Sequence, residues 1–163
     1  SELSAPLKVE KGGILRVRPD KPADFHWTSD RWIVDGAAVS PDSARKSAEA
    51  VREIVHRYDG VIHREWYNWG QIAKRYDLNL EGKAIRHLYY ENGKLARREY
   101  YDRGGVRVTS EIFASDGFIR ESIRGRGAEE FSHWWYERGV PVKYSSGGAV
   151  YIKQGDGWVK RRG

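Results

Sequence analysis

From Gly60 onward, short apolar stretches alternate with glycine-containing turns at a spacing of roughly 9 to 13 residues. Between the glycines lie β-branched and aromatic residues with no sustained period of 3.6 residues, which is typical of strands rather than helices. Asn92-Gly93 and Asp116-Gly117 are favoured hairpin dipeptides, because both residues of each pair tolerate a positive φ. The pattern therefore predicts a mainly β protein, an antiparallel meander of repeated hairpins.

Two short strands are predicted before this region. Residues 14–18 form the first, which Pro19 ends, and residues 31–35 form the second, which Gly36 closes. We expect an N-terminal part, residues 1–59, and a hairpin-repeat region, residues 60–163, within one compact domain.

A single amphipathic helix is predicted over residues 41–58. Ser40 is a suitable N-cap, and Pro41 suits the first helical position. Apolar residues recur at spacings of four and three and form one stripe: Ala44, Ala48, Val51, Val55 and Tyr58. Since this stripe is as wide as that of a helix on a sheet, we expect the helix to pack on the meander.

The hairpin units share residue types when they are counted from the glycine that opens each one. The fourth position is basic in four successive units: Arg64, Lys74, Arg86 and Arg97. The seventh position holds Tyr67, Asp77, Tyr89 and Tyr100. These columns predict a basic ladder beside a tyrosine ladder on one face. Because like charges directly opposed are unfavourable, such a ladder indicates interspersed acidic residues or an anionic ligand.

Two of these units resemble known repeat families. Residues 89–95, Tyr-Tyr-Glu-Asn-Gly-Lys-Leu, and residues 100–105, Tyr-Tyr-Asp-Arg-Gly-Gly, are similar to variant MORN repeats and to the tyrosine-aspartate (YD, RHS-like) repeats of large bacterial surface and toxin proteins. The resemblance covers residues 60–145. It implies an elongated β-meander that serves as scaffold or binding surface in a larger bacterial assembly, and it favours an extracellular or cell-envelope location over the cytoplasm.

The net charge of +6 comes from the repeat region. Residues 1–59 hold ten Lys/Arg and ten Asp/Glu, whereas residues 60–163 hold nineteen and thirteen. A basic β-region suits an anionic partner: an acidic polysaccharide, a nucleic acid or an acidic protein face. The chain has no cysteine and no run of 18 apolar residues, so we expect no disulfide and no membrane span. Because it starts at Ser1 and lacks methionine, we also expect a processed chain or a piece of a longer protein.

Candidate ligand-binding residues are the basic and aromatic side chains of the repeats and of the aromatic segment 131–136. They are Arg64, Trp66, Tyr67, Trp69, Arg86, His87, Tyr89, Arg97, Tyr100, Trp134 and Trp135. Rings stack on sugars or bases, and cations pair with carboxylates or phosphates. These residues predict a non-catalytic binding or scaffold module for an acidic polysaccharide or a protein partner. The open alternative is that the tyrosines are core and the basic residues face solvent.

Two further interpretations remain. His63, Tyr67 and Arg64 fit a polysaccharide lyase, in which a His or Tyr base removes a proton beside a carboxylate that Arg neutralises. A nucleic-acid-binding module needs a continuous basic stripe, against which Glu65 and Glu99 count. No histidine spacing is typical of a metal site and no glycine pair opens a phosphate loop, so no metal and no cofactor are predicted.

Overall fold

Strands dominate the computed structural model, which describes residues 8–10, 13–15 and 28–161. In chain order they are β1 (Lys8–Glu10), β2 (Gly13–Leu15), β3 (Thr28–Val34), β4 (Ala37–Val39), β5 (Ala50–His56), β6 (Val61–Asn68), β7 (Gln71–Asn79), β8 (Ala84–Glu91), β9 (Lys94–Tyr101), β10 (Arg107–Phe113), β11 (Ile119–Arg126), β12 (Glu129–Glu137), β13 (Val140–Ser146), β14 (Ala149–Gln154) and β15 (Gly157–Arg161). One short helix, α1 (Pro41–Arg45), lies between β4 and β5.

Thirteen of the strands form one open antiparallel sheet. From β5 to β15 each strand pairs with the next, so this part is a simple meander. At the other end β3 lies between β5 and β4, and the two edges of the sheet are β4 and β15. The mainly β antiparallel meander that the glycine spacing predicts is confirmed. The β5–β6 ladder also crosses the expected boundary at residue 59.

Of the two short strands predicted near the N-terminus, the second lies within the described residues and the first lies there only in part. The strand predicted over residues 31–35 is β3, and the chain turns at Asp35 and Gly36 to enter β4. The strand predicted over residues 14–18 overlaps β2, which pairs with β1. Residues 16–18 lie outside the described residues.

The helix predicted over residues 41–58 is wrong in its extent. Its start is confirmed, because the Ser40 hydroxyl accepts a hydrogen bond from the Ser43 N–H at 3.2 Å and Pro41 is the first helical residue. Ala44 is buried and α1 packs against β3 and β5, as expected for a helix on the sheet. However, the helix ends at Arg45.

The second half of the predicted helix is strand β5. Val51, Ile54 and Val55 carry branched Cβ atoms that favour a pleated surface. β5 hydrogen-bonds to β3 on one side and to β6 on the other. The apolar residues of this segment have a helical spacing, but they also suit a strand. Pairing with β3 and β6 therefore decides its conformation.

The sheet has little apolar core. Within residues 28–161, the buried apolar residues are Ala44, Ala50 and Leu78, whereas three buried residues are acidic: Glu65, Asp77 and Glu99. A typical domain buries its sheet beneath a second layer. Between residues 28 and 161 only α1, near one end, covers this sheet, so most side chains are shielded by their neighbours on the same face.

The register defines two faces. Residues directly opposite each other in an antiparallel pair point to the same side of the sheet. We call the side that bears Trp66 and Lys74 face A, and the side that bears His63 and Asp77 face B.

Candidate functional site

Alternating aromatic and cationic residues cross face A at right angles to the strands. Trp66 on β6 lies opposite Lys74 on β7, Lys74 lies opposite Tyr89 on β8, and Tyr89 lies opposite Arg97 on β9. Since neighbouring strands are about 4.8 Å apart, these four residues span about 14 Å. We call them the aromatic–cation row.

Both cations of the row lie over aromatic rings. Lys74 Nζ is 4.6 Å from the centroid of the Trp66 ring, and Arg97 Cζ is 4.4 Å from that of Tyr89. Such a contact is worth about 0.5–1 kcal/mol at an exposed site. Among the residues that the structure describes, no carboxylate pairs with Lys74 or Arg97. The rings therefore hold two positive charges that have no anionic partner within residues 28–161.

A compact aromatic cluster flanks the row on the same face. The Tyr76 ring stacks on His87 with a centroid distance of 3.7 Å and meets Trp66 edge-on at 4.7 Å. Tyr101 Oη lies 3.0 Å from His87 Nδ1. Burial lowers the pKa of His87 and raises the pKa of Tyr89 and Tyr101. At neutral pH this cluster is consequently uncharged and supports the row by packing and hydrogen bonding.

Two carboxylates near the row, Glu99 and Glu53, are already bound by other side chains. Glu99 accepts hydrogen bonds from Arg107 at 2.9 Å and from the Tyr101 hydroxyl at 3.4 Å. Glu53 accepts from Arg64 at 2.9 Å and from Arg31 at 3.2 Å. These acids are neutralised locally and do not reach Lys74 or Arg97.

A hollow of about 540 Å³ opens beside the row. Its volume falls in the range of small-ligand sites, about 300–1,000 Å³. Trp66, Lys74 and Tyr89 line one side, and Asp35, Glu49 and Val51 belong to the other.

Face B carries an ion network in place of an open row. Asp77 is 1% exposed, and its carboxylate is 2.6 Å from His63, 2.8 Å from Arg75 and 2.7 Å from Arg86. Burial alone raises the pKa of this carboxyl, but the hydrogen bonds from Arg75, His63 and Arg86 outweigh burial, and the pKa lies below its ordinary value. Arg86 is thus a partner of Asp77 and not a free cation.

The predicted basic ladder is wrong. Successive strands run in opposite directions, so the fourth position of one unit faces the seventh position of the next: Arg86 lies opposite Tyr100 and Asp77, and Arg97 lies opposite Tyr89. Arg64, Lys74 and Arg97 are on face A, whereas Arg86 is on face B.

The tyrosine ladder also does not form. Tyr89 is on face A and Tyr100 on face B, where Arg86 and Arg98 approach the Tyr100 ring. Tyr67 contacts the Trp32 ring at 4.8 Å.

The three candidate catalytic residues do not converge. His63 is bonded to Asp77 on face B, while its neighbour Arg64 points to face A and is bonded to Glu53. The Tyr67 hydroxyl donates to Glu65 at 3.1 Å. A catalytic role for them stays a prediction.

The remaining aromatic candidates are dispersed. Trp69 sits in the β6–β7 turn and is 70% exposed. Trp134 stacks on Tyr144 at 4.5 Å on face B. Trp135 is on face A, where its ring stacks on His133 at 3.7 Å and lies 4.1 Å from Lys143 Nζ.

Sequence reasoning missed Tyr76, Tyr101 and Lys143 as parts of face A. The strand period of two contains the missing signal: adjacent residues such as Tyr100 and Tyr101 place one ring on each face.

The described part of the chain contains neither a metal-binding cluster nor a membrane-spanning helix. There, no three His, Asp or Glu residues come close enough together to hold a metal ion. None of the helices described has the length and apolar character needed to cross a membrane.

Comparisons with known proteins add little. No family model matches the chain, and no curated protein matches it. One similar solved structure is described as "Crystal structure of GtfA/B complex", with a TM-score of 0.37 and 11% sequence identity over 63% of this chain. The chain spans 19% of the length of that protein. Such a TM-score does not establish a shared fold, and the resemblance to MORN and YD repeats stays a prediction.

Proposed function

We propose that this chain is a non-catalytic binding module that holds an acidic polysaccharide across face A. The observation that carries the proposal is the contrast between two groups of cations. Five arginines of the central sheet lie 2.7 to 2.9 Å from a carboxylate oxygen: Arg64, Arg75, Arg86, Arg98 and Arg107. Lys74 and Arg97 instead lie over rings, within reach of a carboxylate that comes from outside.

The geometry of the row suits a uronate chain. Each cation is already held by a ring, so less side-chain entropy is lost when an anion binds. Charge-assisted hydrogen bonds are roughly twice as strong as neutral ones. The edges of Trp66 and Tyr89 provide apolar surface for the C–H groups of sugars next to the two charges.

A single-stranded nucleic acid is the less favoured occupant. Bases bind such proteins by stacking on open ring faces. Here the Trp66 ring lies below Lys74 and beside Tyr76, and the Tyr89 ring lies below Arg97. Stacking of bases requires these cations to move away from their rings.

Titration calorimetry with polygalacturonate tests the proposal. We expect binding that weakens as ionic strength rises, because Arg97 is exposed and Lys74 is only half-buried, so that dissolved ions screen both charges. The double variant Lys74→Gln/Arg97→Gln loses both free cations of the row, and we expect its affinity to fall by about tenfold or more. Dextran, a neutral polymer, serves as the ligand control and is expected not to bind.

The matched protein control is the double variant Lys46→Gln/Arg103→Gln. It removes the same charge from two exposed positions, one after α1 and one in the β9–β10 turn. Equal losses in both double variants, or no binding of polygalacturonate by the wild type, contradict the proposal. Tighter binding of oligothymidylate than of polygalacturonate supports the nucleic-acid alternative, and binding of neither directs the search to an acidic protein partner.

A further inference from the structure

The cross-strand line that contains the aromatic–cation row continues over the rest of face A. Arg97 lies opposite Ile112 on β10, Ile112 opposite Glu121 on β11, and Glu121 opposite Trp135 on β12. Trp135 in turn lies opposite Lys143 on β13. An aromatic residue and a cation therefore face each other again, four strands beyond Arg97.

This second pair repeats the chemistry of the first. Lys143 Nζ is 4.1 Å from the centroid of the Trp135 ring, and the other contact of that ring is a parallel stack with His133 at 3.7 Å. Within residues 28–161 no carboxylate pairs with Lys143. Like Lys74 and Arg97, it is a cation held by a ring and open to an anion.

Glu121 lies on this line between Arg97 and Trp135, and its carboxylate already has partners. Glu121 accepts a hydrogen bond from His133 Nε2 at 2.9 Å and is 3.6 Å from Arg120. Ile112, the residue between Arg97 and Glu121 on this line, is uncharged. A polyanion that follows the line consequently meets no free carboxylate among the residues at these register positions.

The spacing sets the kind of ligand. Lys143 is four strands from Arg97 and six from Lys74, or about 19 Å and about 29 Å at the usual strand separation. Because neighbouring strands in a sheet are rotated by roughly 20–25°, the line winds around the sheet axis between the two pairs. A flexible single chain can follow this path, whereas a stiff rod cannot.

We infer that Trp135 and Lys143 form a second contact point for the same acidic polysaccharide chain, so that the protein selects chains long enough to reach both pairs. The inference rests on the proposed function. Once a chain is held by Lys74 and Arg97, its other end is presented to Lys143 at a high effective concentration. Linked contacts of this kind raise overall affinity by about 10²–10⁴.

The test compares oligogalacturonates of defined length by calorimetry on the full chain. Short oligomers have an extended length below about 19 Å, and long oligomers exceed about 30 Å. For Lys143→Gln we expect at least tenfold weaker binding of long oligomers and unchanged binding of short ones. For Lys74→Gln/Arg97→Gln we expect weaker binding of both.

A lysine on the opposite face provides the matched control. Lys153 is exposed and lies opposite Trp158, whose ring contacts Trp134 and Tyr144 on face B. We expect Lys153→Gln to bind every oligomer as the wild type does. A long oligomer can bind in more positions along its length than a short one, which raises its apparent affinity. We therefore compare the variants with oligomers of the same length.

The failures of the two proposals are distinguishable. If Lys143→Gln binds long oligomers as tightly as the wild type while Lys74→Gln/Arg97→Gln does not, the inference is wrong and the proposed function stands. The inference is also wrong if Lys153→Gln weakens the binding of long oligomers as much as Lys143→Gln does. If no oligogalacturonate binds the wild type, the proposed function itself is overturned.

Discussion

Asp77 shows how single side chains replace an apolar core in this sheet. Its carboxylate is almost fully buried, and three side chains on β6, β7 and β8 converge on it: His63, Arg75 and Arg86. A buried ion group of this kind is stable only while every charge keeps its partners. The three strands are therefore joined by side-chain bonds as well as by their backbone ladders.

Replacement of this carboxylate tests that role. We expect Asp77→Asn to lower the free energy of unfolding by roughly 3 kcal/mol, because Arg75 and Arg86 are left without an anion. Urea denaturation followed by far-UV circular dichroism measures the change. The control is Asp156→Asn, at an exposed turn position, which should leave the urea midpoint of unfolding unchanged. If both variants unfold at a similar urea concentration, the proposed role of Asp77 is wrong.

Acid sensitivity follows from the lowered pKa of Asp77. A carboxyl whose pKa is lower in the folded state contributes stability that is complete above its unfolded value of about 3.9. This stability is lost as the pH falls through the folded value. The pKa values of Asp30 and Glu53 are lowered as well. The hydrogen bond from Arg52 lowers the pKa of Asp30, and the hydrogen bonds from Arg64 and Arg31 outweigh burial and lower that of Glu53.

We therefore expect the urea midpoint of the wild type to fall steeply below about pH 4. Asp77→Asn lacks one of the responsible groups, and its midpoint should depend less on pH over the same range. Parallel pH profiles for the two proteins would show that Asp77 does not contribute in this way.

At the scale of elements, four of the hairpin turns share one backbone conformation. Four turns place a non-glycine residue with positive φ before a glycine with positive φ: Asp35-Gly36, Trp69-Gly70, Asn92-Gly93 and Arg138-Gly139. Two successive positive φ angles are the signature of type I′ turns. Asn and Asp adopt this conformation readily, whereas Trp and Arg are strained in it.

Relief of this strain is expected to stabilise the protein. We expect Arg138→Asn and Trp69→Asn each to raise the free energy of unfolding by about 0.5–1 kcal/mol, since non-glycine residues in the left-handed region cost about 1–3 kcal/mol. Trp69 loses little buried surface because its side chain is 70% exposed. Thermal unfolding measures the change, and Asn92→Ala, which makes the reverse exchange, should destabilise. A lower melting temperature for Arg138→Asn contradicts the strain argument.

The elements also show which parts of the fold the sequence predicts. Glycine spacing locates the hairpins because a positive φ at Gly70, Gly93 or Gly139 is a local requirement. The helical stripe of residues 41–58 misleads, because β5 owes its conformation to ladders with β3 and β6, which local spacing does not encode. The register and the bulges between strands decide on which face of the sheet each side chain lies. Only the strand pairing therefore shows that Lys74 and Arg97 lie in one row on face A, whereas Arg86 lies on face B.

At the scale of the molecule, the large sheet is nearly one-dimensional. Each strand from β5 to β14 packs against its two neighbours, and no second layer ties distant strands together between residues 28 and 161. Stability in such arrays is close to a sum of nearest-neighbour contributions, as in solenoid proteins. Local opening at the ends should then need less free energy than opening at the centre.

Native-state hydrogen exchange measures this gradient. We expect the amides of β14 and β15 to exchange through local opening, at a lower free energy than those of β6 to β8, which hold the buried Glu65, Asp77 and Leu78. One common opening free energy for all these strands would show instead that the sheet unfolds as a single cooperative unit.

The open edge at β15 has a consequence for self-association. Among the described strands, β15 is bonded on one side only, to β14, and an unpaired edge is a template for a strand from another chain. Lys160 and Arg161 place like charges along this edge, so two copies that approach edge to edge repel each other. Salt weakens that repulsion, and a concentrated solution of the protein at high ionic strength should form fibrils or dimers sooner than one at low ionic strength.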